Sequence, residues 1–294
     1  LLESYIDYLV GSLEGQRLDG LKIVIDAANG AAAQTAVPAF EASGAEVIAI
    51  HCEPDGLNIN DNCGSTHLAD LMAAVVAHGA DLGIALDGDA DRCLAVDATG
   101  ALVDGDKIMA VLALHLADQG KLHNNTLVAT IMSNLGLINA MREHGIQVDQ
   151  TRVGDRYVLE SMAANGFTLG GEQSGHIIIS EYANTGDGAL TGLHLAGRMA
   201  ASGRSLAELA SVMVTLPQVM INVPGVDKLR AGIDPEITQA VTAANRELGA
   251  SGRVVLRPSG TEPLVRVMVE AATIEQANEV AGRLADLVAT RLAL

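Results

Sequence analysis

Asp81-Leu-Gly-Ile-Ala-Leu-Asp-Gly-Asp-Ala-Asp-Arg92 joins an apolar run to three aspartates spaced two apart. The run predicts a buried strand over residues 81–86. Open α/β sheets bind ligands outside the C-terminal ends of their strands, and that end is where the aspartates fall. Upstream, residues 21–26 and 45–50 read as further strands. Asn29-Gly30 turns the first into an Ala-rich helix, and residues 67–78 read as the next helix. Downstream, residues 93–97 and 101–103 form a predicted hairpin around Thr99-Gly100.

The pattern repeats from Asp106. A long helix precedes strand 126–131, helix 135–144 and strand 146–151. Another helix, strands near 167–170 and 176–180, and helix 187–201 follow. The tail differs. Strand 218–223 is broken by Pro224-Gly225, helix 235–248 follows, and strands 253–256 and 264–270 precede helix 274–292. The fold class is therefore α/β: two consecutive α/β sandwich domains with mixed sheets, then a small C-terminal α+β domain. The expected boundaries are 1–103, 104–213 and 214–294.

The 294 residues carry a net charge of −18 and are 49% hydrophobic, so a large core accompanies an acidic surface. That charge argues against nucleic acid or an anionic membrane as partner. With no Trp and two Phe, stacking on bases has little to work with. An anionic ligand must be held by a local group of arginines. Cys52, Cys63 and Cys93 match neither CxxC nor a zinc spacing, which fits reduced thiols in a cytoplasmic protein. No signal peptide is evident, and the longest apolar stretch, around residues 108–117, is broken by His115 and too short for a bilayer. The chain starts at Leu1 within a helical pattern, as a piece of something longer would.

Asp87, Asp89 and Asp91 can converge on one cation if the backbone turns tightly, and Gly88 and Ala90 permit the turn. An EF-hand also begins D-x-D-x-D, but its sixth and twelfth positions want Gly and Glu. Here they are Arg92 and Ala98. Mg²⁺ is the favoured ion, with Arg92 offsetting excess negative charge; the bland alternative is a solvated acidic turn.

Gly170-Gly-Glu-Gln-Ser-Gly-His176 allows close backbone approach to a ligand. Glu172 and Ser174 can grip neighbouring hydroxyls, and His176 is a candidate general acid or base. The alternative is a tight hairpin with incidental polar residues. Arg257-Pro-Ser-Gly-Thr-Glu-Pro263 offers a guanidinium fork, the hydroxyls of Ser259 and Thr261, and backbone amides around Gly260 for an anion nest. Period two then sets Val265, Val267 and Val269 on one face of the next strand and Arg266 on the other, free to point at the anion. The alternative is a Pro-Gly turn between strands. No Walker A motif occurs. A metal, a polyol and a phosphate in one cleft suggest phosphoryl transfer on a sugar phosphate.

Together the three loops resemble those of the α-D-phosphohexomutase superfamily, its glucosamine branch most closely. Gln173 is typical of that branch, where phosphomannomutase/phosphoglucomutase relatives carry Met. Gly56-Leu-Asn-Ile-Asn60, Cys63-Gly-Ser-Thr66, Val153-Gly-Asp-Arg-Tyr-Val158 and Thr185-Gly-Asp-Gly188 also fit it. The resemblance implies a mutase interconverting glucosamine 6-phosphate and glucosamine 1-phosphate through a phosphoserine and a bisphosphate. It implies Mg²⁺ on Asp87, Asp89 and Asp91, Arg92 and His176 as catalytic groups, and sugar-phosphate contacts from Glu172, Ser174, Arg257, Ser259, Gly260, Thr261 and Arg266. The superfamily carries its phosphoserine in an N-terminal domain, in a Ser-His-Asn-Pro context. No Ser-His pair occurs here, so the expectation is a chain without that domain and inactive alone. A phosphomannomutase/phosphoglucomutase relative and a non-catalytic sugar-phosphate binder are the other readings, and a homodimer is left open.

Overall fold

The structure, a computed structural model, describes residues 1–260 and 262–294. Thr261 lies outside the described residues. The chain divides into two compact units, Leu1–Ser133 with Leu137–Met213, and Asn134–Gly136 with Val214–Leu294.

The first unit opens with helix α1 (Leu2–Gly11), strand β1 (Lys22–Asp26), helix α2 (Ala36–Ala42), β2 (Glu46–Ile50), α3 (Ala69–His78) and β3 (Leu82–Leu86). Strands β4 (Cys93–Asp97) and β5 (Leu102–Val103) complete a five-stranded sheet ordered β2-β1-β3-β4-β5. β1 pairs in parallel with β2 and β3, whereas β3–β4 and β4–β5 are antiparallel. Helix α4 (Gly105–Asp118), β6 (Thr126–Thr130), α5 (Leu135–Glu143), β7 (Gln147–Thr151), α6 (Asp155–Asn165), β8 (Leu169–Gly171), β9 (Ile177–Ile179), α7 (Gly188–Ser202) and α8 (Leu206–Ala210) follow. Their sheet runs β7-β6-β8-β9, parallel except for β9.

Strand alternation explains how both sheets are covered on two faces. Ile23, Ile25, Leu82, Ile84, Cys93 and Ala95 enter one core with Leu127, Ala129, Ile177, Ile179, Phe40, Ile108 and Leu190. The intervening Val24, Ala85, Leu94 and Val96 pack with Leu71 and Val75 of α3, and Val128 and Ile178 pack with Val158 and Met162 of α6. Period-two exposure to two apolar layers is what a helix-covered, largely parallel sheet requires. The two α/β halves thus share one core. Truncating a fully buried member such as Ile84 to Ala costs about 2–5 kcal/mol at such sites. Asp104 and Asp187 cap α4 and α7 by accepting from Lys107 N and Leu190 N. Each such cap is worth about 1 kcal/mol.

The second unit holds β10 (Gln218–Pro224), α9 (Pro235–Leu248), β11 (Arg253–Pro258), β12 (Leu264–Glu270) and α10 (Ile274–Arg291). Its sheet is antiparallel, ordered β10-β12-β11. Val265, Val267 and Val269 are fully buried and join Ile237, Val280, Leu284 and Val288 of the two helices. Among the described residues no helix is long and apolar enough to cross a membrane.

One local expectation fails. The Ala-rich stretch after Gly30 is not one helix. A 3₁₀ turn, Ala31–Gln34, precedes α2, and Thr35 between them sits at φ −120°. Pro38 falls in the first turn of α2, where its missing N–H is tolerated. Ala31 N instead donates to Gly88 O at 2.8 Å, tying this turn to the aspartate loop.

Candidate active site

The aspartate loop leaves the C-terminal end of β3, and carboxylate oxygens of Asp87, Asp89 and Asp91 lie within 4.8 Å of one another. Ala90, not Gly88, takes the left-handed conformation, at φ 62°. Its N donates to Asp87 O at 3.0 Å, closing the turn. Gly88 serves close packing, because a Cβ there would come within 2.6–2.8 Å of Asn60 and Ile59. Arg92 N donates to Asp87 Oδ1 at 3.1 Å, while Arg92 Nε lies 3.6 Å from Asp87 Oδ2 and 3.8 Å from Asp91 Oδ1.

Burial, then the like charges of Asp91 and Asp89, push the Asp87 carboxyl from 3.8 up to about 6. Asp91 Oδ1 is a buried acceptor with no hydrogen-bond partner among the described residues. Crowded carboxylates and an orphaned oxygen are relieved together by a hard divalent cation, so the residues fit Mg²⁺.

The polar loop is fastened to the aspartate loop. Arg92 and His176 form an antiparallel bridge, and Cys93 N donates to Gly175 O at 3.0 Å. A Cβ on Gly175 would lie 2.4 Å from Cys93 O, so only glycine admits this approach. His176 is 5% exposed. Gly186 N donates to its Nε2 at 3.1 Å, which leaves the ring proton on Nδ1, 2.9 Å from Asp91 Oδ2. Both nitrogens are thus engaged and the ring is sheltered. His176, expected as a general acid or base, thus contacts Asp91 through Nδ1 and Gly186 through Nε2.

Glu172 Oε1 accepts from Gly154 N at 3.0 Å, so Glu172 is anchored at one oxygen. Ser174 is exposed at the loop tip. Gln173 turns away: its Nε2 reaches Asp104 Oδ2 at 3.3 Å, and its main-chain oxygen accepts from Gly105 N at 3.0 Å.

In the second unit, Arg257 and Arg266 stand directly opposite each other on β11 and β12. Burial first, then Arg266, lowers the Arg257 pKa from its ordinary value. Neither Arg257 Nε nor Arg266 Nε has a hydrogen-bond partner among the described residues. Arg266 Nη2 contacts Glu262 Oε2 at 3.2 Å. Ser259 is 3% exposed and its hydroxyl accepts from Glu262 N at 3.2 Å, which leaves its proton to donate. A Cβ at Gly260 would meet nothing within 4 Å. Two opposed, partly desolvated guanidiniums repel unless an anion lies between them. Thr261, expected in this cradle, is outside the described residues.

Three supporting features escaped sequence reasoning. Gly186 presses against the aspartate loop, where a Cβ would lie 2.5 Å from Asp91 O, and Gly188 would clash with Arg92 O at 2.3 Å. Both sit in Thr185-Gly-Asp-Gly188, a quoted motif whose structural task no spacing rule revealed. Lys228 contacts the carbonyls of Ser259, Gly260 and Glu262 and had no local signal. Cys63 lies with Asp26 and His51 in a group whose ligand atoms fall within 4.8 Å. The Asp26 oxygens there already accept from Ala28 N and Gly64 N and contact His51 Nδ1, which reads as a structural knot.

Family models describing phosphoglucomutase/phosphomannomutase match in order: α/β/α domain II over residues 3–100, α/β/α domain III over 104–216, and the C-terminal domain over 220–287. The chain belongs to the phosphoglucomutase/phosphomannomutase family. The phosphoglucosamine mutase of Cutibacterium acnes is 66% identical over 294 residues, covering 100% of this chain and 65% of the relative. That of Streptomyces griseus is 65% identical over 290 residues, covering 99% and 64%. The chain thus spans 64–65% of the length of these two relatives.

Among solved structures, a phosphoglucomutase/phosphomannomutase family protein of Burkholderia thailandensis matches with TM-score 0.81 at 21% identity, over 100% of this chain and 66% of that one. The N-acetylphosphoglucosamine mutase of Aspergillus fumigatus, solved with GlcNAc-6P and magnesium, matches with TM-score 0.78 at 20% identity, over 97% and 69%. At such identity these structures speak to the fold.

Proposed function

We propose that this chain is the metal-, sugar- and phosphate-binding portion of a cytoplasmic phosphoglucosamine mutase, divided as residues 1–103, 104–213 and 214–294. The observation that carries the reading is the fusion of the aspartate loop with the Glu172–Ser174 loop through Arg92 and His176. A cation site and a hydroxyl-reading loop held in one rigid frame suit a sugar phosphate. The two phosphoglucosamine mutases at 66% and 65% identity direct the choice of sugar to glucosamine.

Asp87, Asp89 and Asp91 would hold Mg²⁺. Bound there, Mg²⁺ would offset the charge of a transferring phosphoryl group. Arg92 adds a positive charge beside Asp87 and Asp91. Glu172, fixed at Oε1 by Gly154, accepts a sugar hydroxyl at Oε2, and Ser174 contacts a neighbouring hydroxyl. Arg257, Ser259, Gly260, Thr261 and Arg266 take the phosphate that is not transferred. The full mutase cycle passes a phosphoryl group from a phosphoserine to the sugar and takes it back from a bisphosphate.

Neither serine in the proposed site is placed as that carrier. Ser174 has no hydrogen-bonded base among the described residues, and the Ser259 hydroxyl already accepts from Glu262 N. These 294 residues by themselves should therefore bind glucosamine phosphates without isomerising them. The test is phosphorus NMR of the chain with glucosamine 6-phosphate, Mg²⁺ and glucosamine 1,6-bisphosphate. Binding shifts without 1-phosphate production are expected. Sustained turnover, with contaminating mutase excluded, overturns the assignment of the carrier. Absence of Mg²⁺-dependent binding overturns the site itself.

A further inference from the structure

Lys228 sits in a short 3₁₀ turn, Lys228–Arg230, capped by Asp227, which accepts from Leu229 N at 3.1 Å. Its Nζ donates to three carbonyl oxygens of the phosphate loop: Ser259 O at 2.7 Å, Glu262 O at 3.2 Å and Gly260 O at 3.3 Å. An ammonium has three protons to give. Here three acceptors lie in a single four-residue stretch, and no carboxylate forms an ion pair with Lys228 within the described contacts. Three carbonyl dipoles turned toward one point repel each other unless a cation lies there.

The peptide plane links this to the anion. A peptide C=O and the following N–H point in opposite directions. With Ser259 O turned to Lys228, the N–H of Gly260 points away from it. No hydrogen bond to that N–H occurs among the described residues, and a Cβ on Gly260 would find open space. The Ser259 hydroxyl keeps its proton for donation, as described above.

We propose that Lys228 is a positioning residue for phosphate binding: it draws the loop's carbonyls to one side and so presents the loop's donors on the other. Lys228 does not itself touch the phosphate. Without its charge, the Ser259–Gly260 peptide is free to flip, which replaces a donor in the cradle with an acceptor oxygen that repels phosphate. The inference rests on reading Arg257–Arg266 as a phosphate cradle, and the test separates the two.

The full chain is titrated with inorganic phosphate and with glucosamine 6-phosphate, following amide shifts by NMR. The parent, Lys228→Met, Lys228→Arg and Arg257→Ala are compared well below their unfolding temperatures. Lys228→Met should weaken both ligands about tenfold or more, the loss expected for a charge-assisted network. It should also abolish the downfield shift of the Gly260 amide proton that phosphate induces in the parent. Lys228→Arg, which still donates to several carbonyls, should restore that shift and stay within about threefold of the parent. A residue that merely stabilises the unit would lower the unfolding temperature yet leave the Gly260 shift intact. If Lys228→Met keeps parental affinity and the shift while Arg257→Ala loses affinity, Lys228 has no positioning role and the cradle stands. If neither variant loses affinity, the cradle reading falls and this inference with it.

Discussion

The aspartate and polar loops of the first unit differ from the phosphate loop of the second in what each leaves unsatisfied. In the first, Arg92 N holds Asp87 and His176 holds Asp91, and the orphaned atom is an acceptor, Asp91 Oδ1. In the second, the orphaned atoms are donors, Arg257 Nε and Arg266 Nε, and Lys228 Nζ donates to three carbonyl oxygens of the loop. A cation site can be pre-built, because its ligands are short side chains set by backbone turns. An anion site made of opposed arginines holds like charges across a strand pair, a repulsion that an anion between them relieves. On the proposed reading, the sign of the leftover group at each loop matches the sign of the ligand it would take.

The strongest test of that contrast removes charge from the acceptor side. Asp87→Asn/Asp89→Asn should weaken Mg²⁺ binding by about 100-fold or more, near 3 kcal/mol, by calorimetry. In chelator the same change should stabilise the fold. The Asp87 carboxyl rises from 3.8 to about 6 on folding. The folded state therefore binds the proton more tightly than the unfolded chain, and ionisation works against folding as pH climbs from about 4 to above 6. The gain from Asp87→Asn should be absent near pH 4 and reach on the order of 1–2 kcal/mol by pH 8. Equal unfolding temperatures of parent and variant across that range would show that Asp87 is not strained by its neighbours.

On the donor side, Arg257→Ala should cost about 1.5–3 kcal/mol in glucosamine 6-phosphate binding. It should leave the ligand-free unit no less stable, since it also removes a like-charge neighbour of Arg266. Parental affinity in this variant would place the cradle elsewhere. A clear drop in ligand-free stability would instead make Arg257 a structural residue.

These two sets of groups were unequally legible. The convergence of the D-x-D-x-D carboxylates after a buried strand was legible in spacing, because backbone turns place short carboxylates. Strand β12 and helix α9 were readable to the residue: the one alternates Val265, Val267 and Val269, and the other runs from Pro235 to Leu248, as expected. What spacing could not show is tertiary. Gly186 contacts Asp91, 95 residues away in numbering, and Lys228 reaches Ser259 across 31 positions. The catalytic reading of His176 came from the near-neutral pKa of an ordinary imidazole; its partners Asp91 and Gly186 were not readable from spacing. The broken Ala-rich helix had a visible sign in Pro38, outweighed by the helix propensity of alanine.

The role of His176 gives a smaller, sharper test. Loss of a side chain that orients a metal ligand typically lowers metal affinity 10–100-fold. His176→Asn should fall near the lower end, about tenfold, because Asp87 and Asp89 remain. Binding of glucosamine 6-phosphate at saturating Mg²⁺ should change by less than about threefold, since the imidazole has no free nitrogen to offer a ligand. Unchanged metal affinity with loss of sugar-phosphate binding would restore a direct role for the imidazole.

The smallest effect is expected at Gln173, the residue whose identity pointed to the glucosamine branch. Its amide faces Asp104, the cap of α4, at a long 3.3 Å, while its backbone carbonyl holds Gly105 N. Methionine keeps the volume and the backbone bond and loses only the amide contact. A half-exposed hydrogen bond of that length is worth about 0.5–1 kcal/mol, so Gln173→Met should lower stability by that amount in chemical unfolding. Its influence on sugar choice runs through the shape of the Glu172–Ser174 loop, which three other backbone bonds already fix: Glu172 N to His176 O, Gly175 N to Glu172 O, and Cys93 N to Gly175 O. The ratio of affinities for glucosamine 6-phosphate and mannose 6-phosphate should therefore move by less than about threefold, roughly 0.6 kcal/mol. A tenfold swing toward mannose would mean that the Gln173 side chain leaves Asp104 and meets the sugar. The rigid frame inferred for the first unit would then have to admit a moving part.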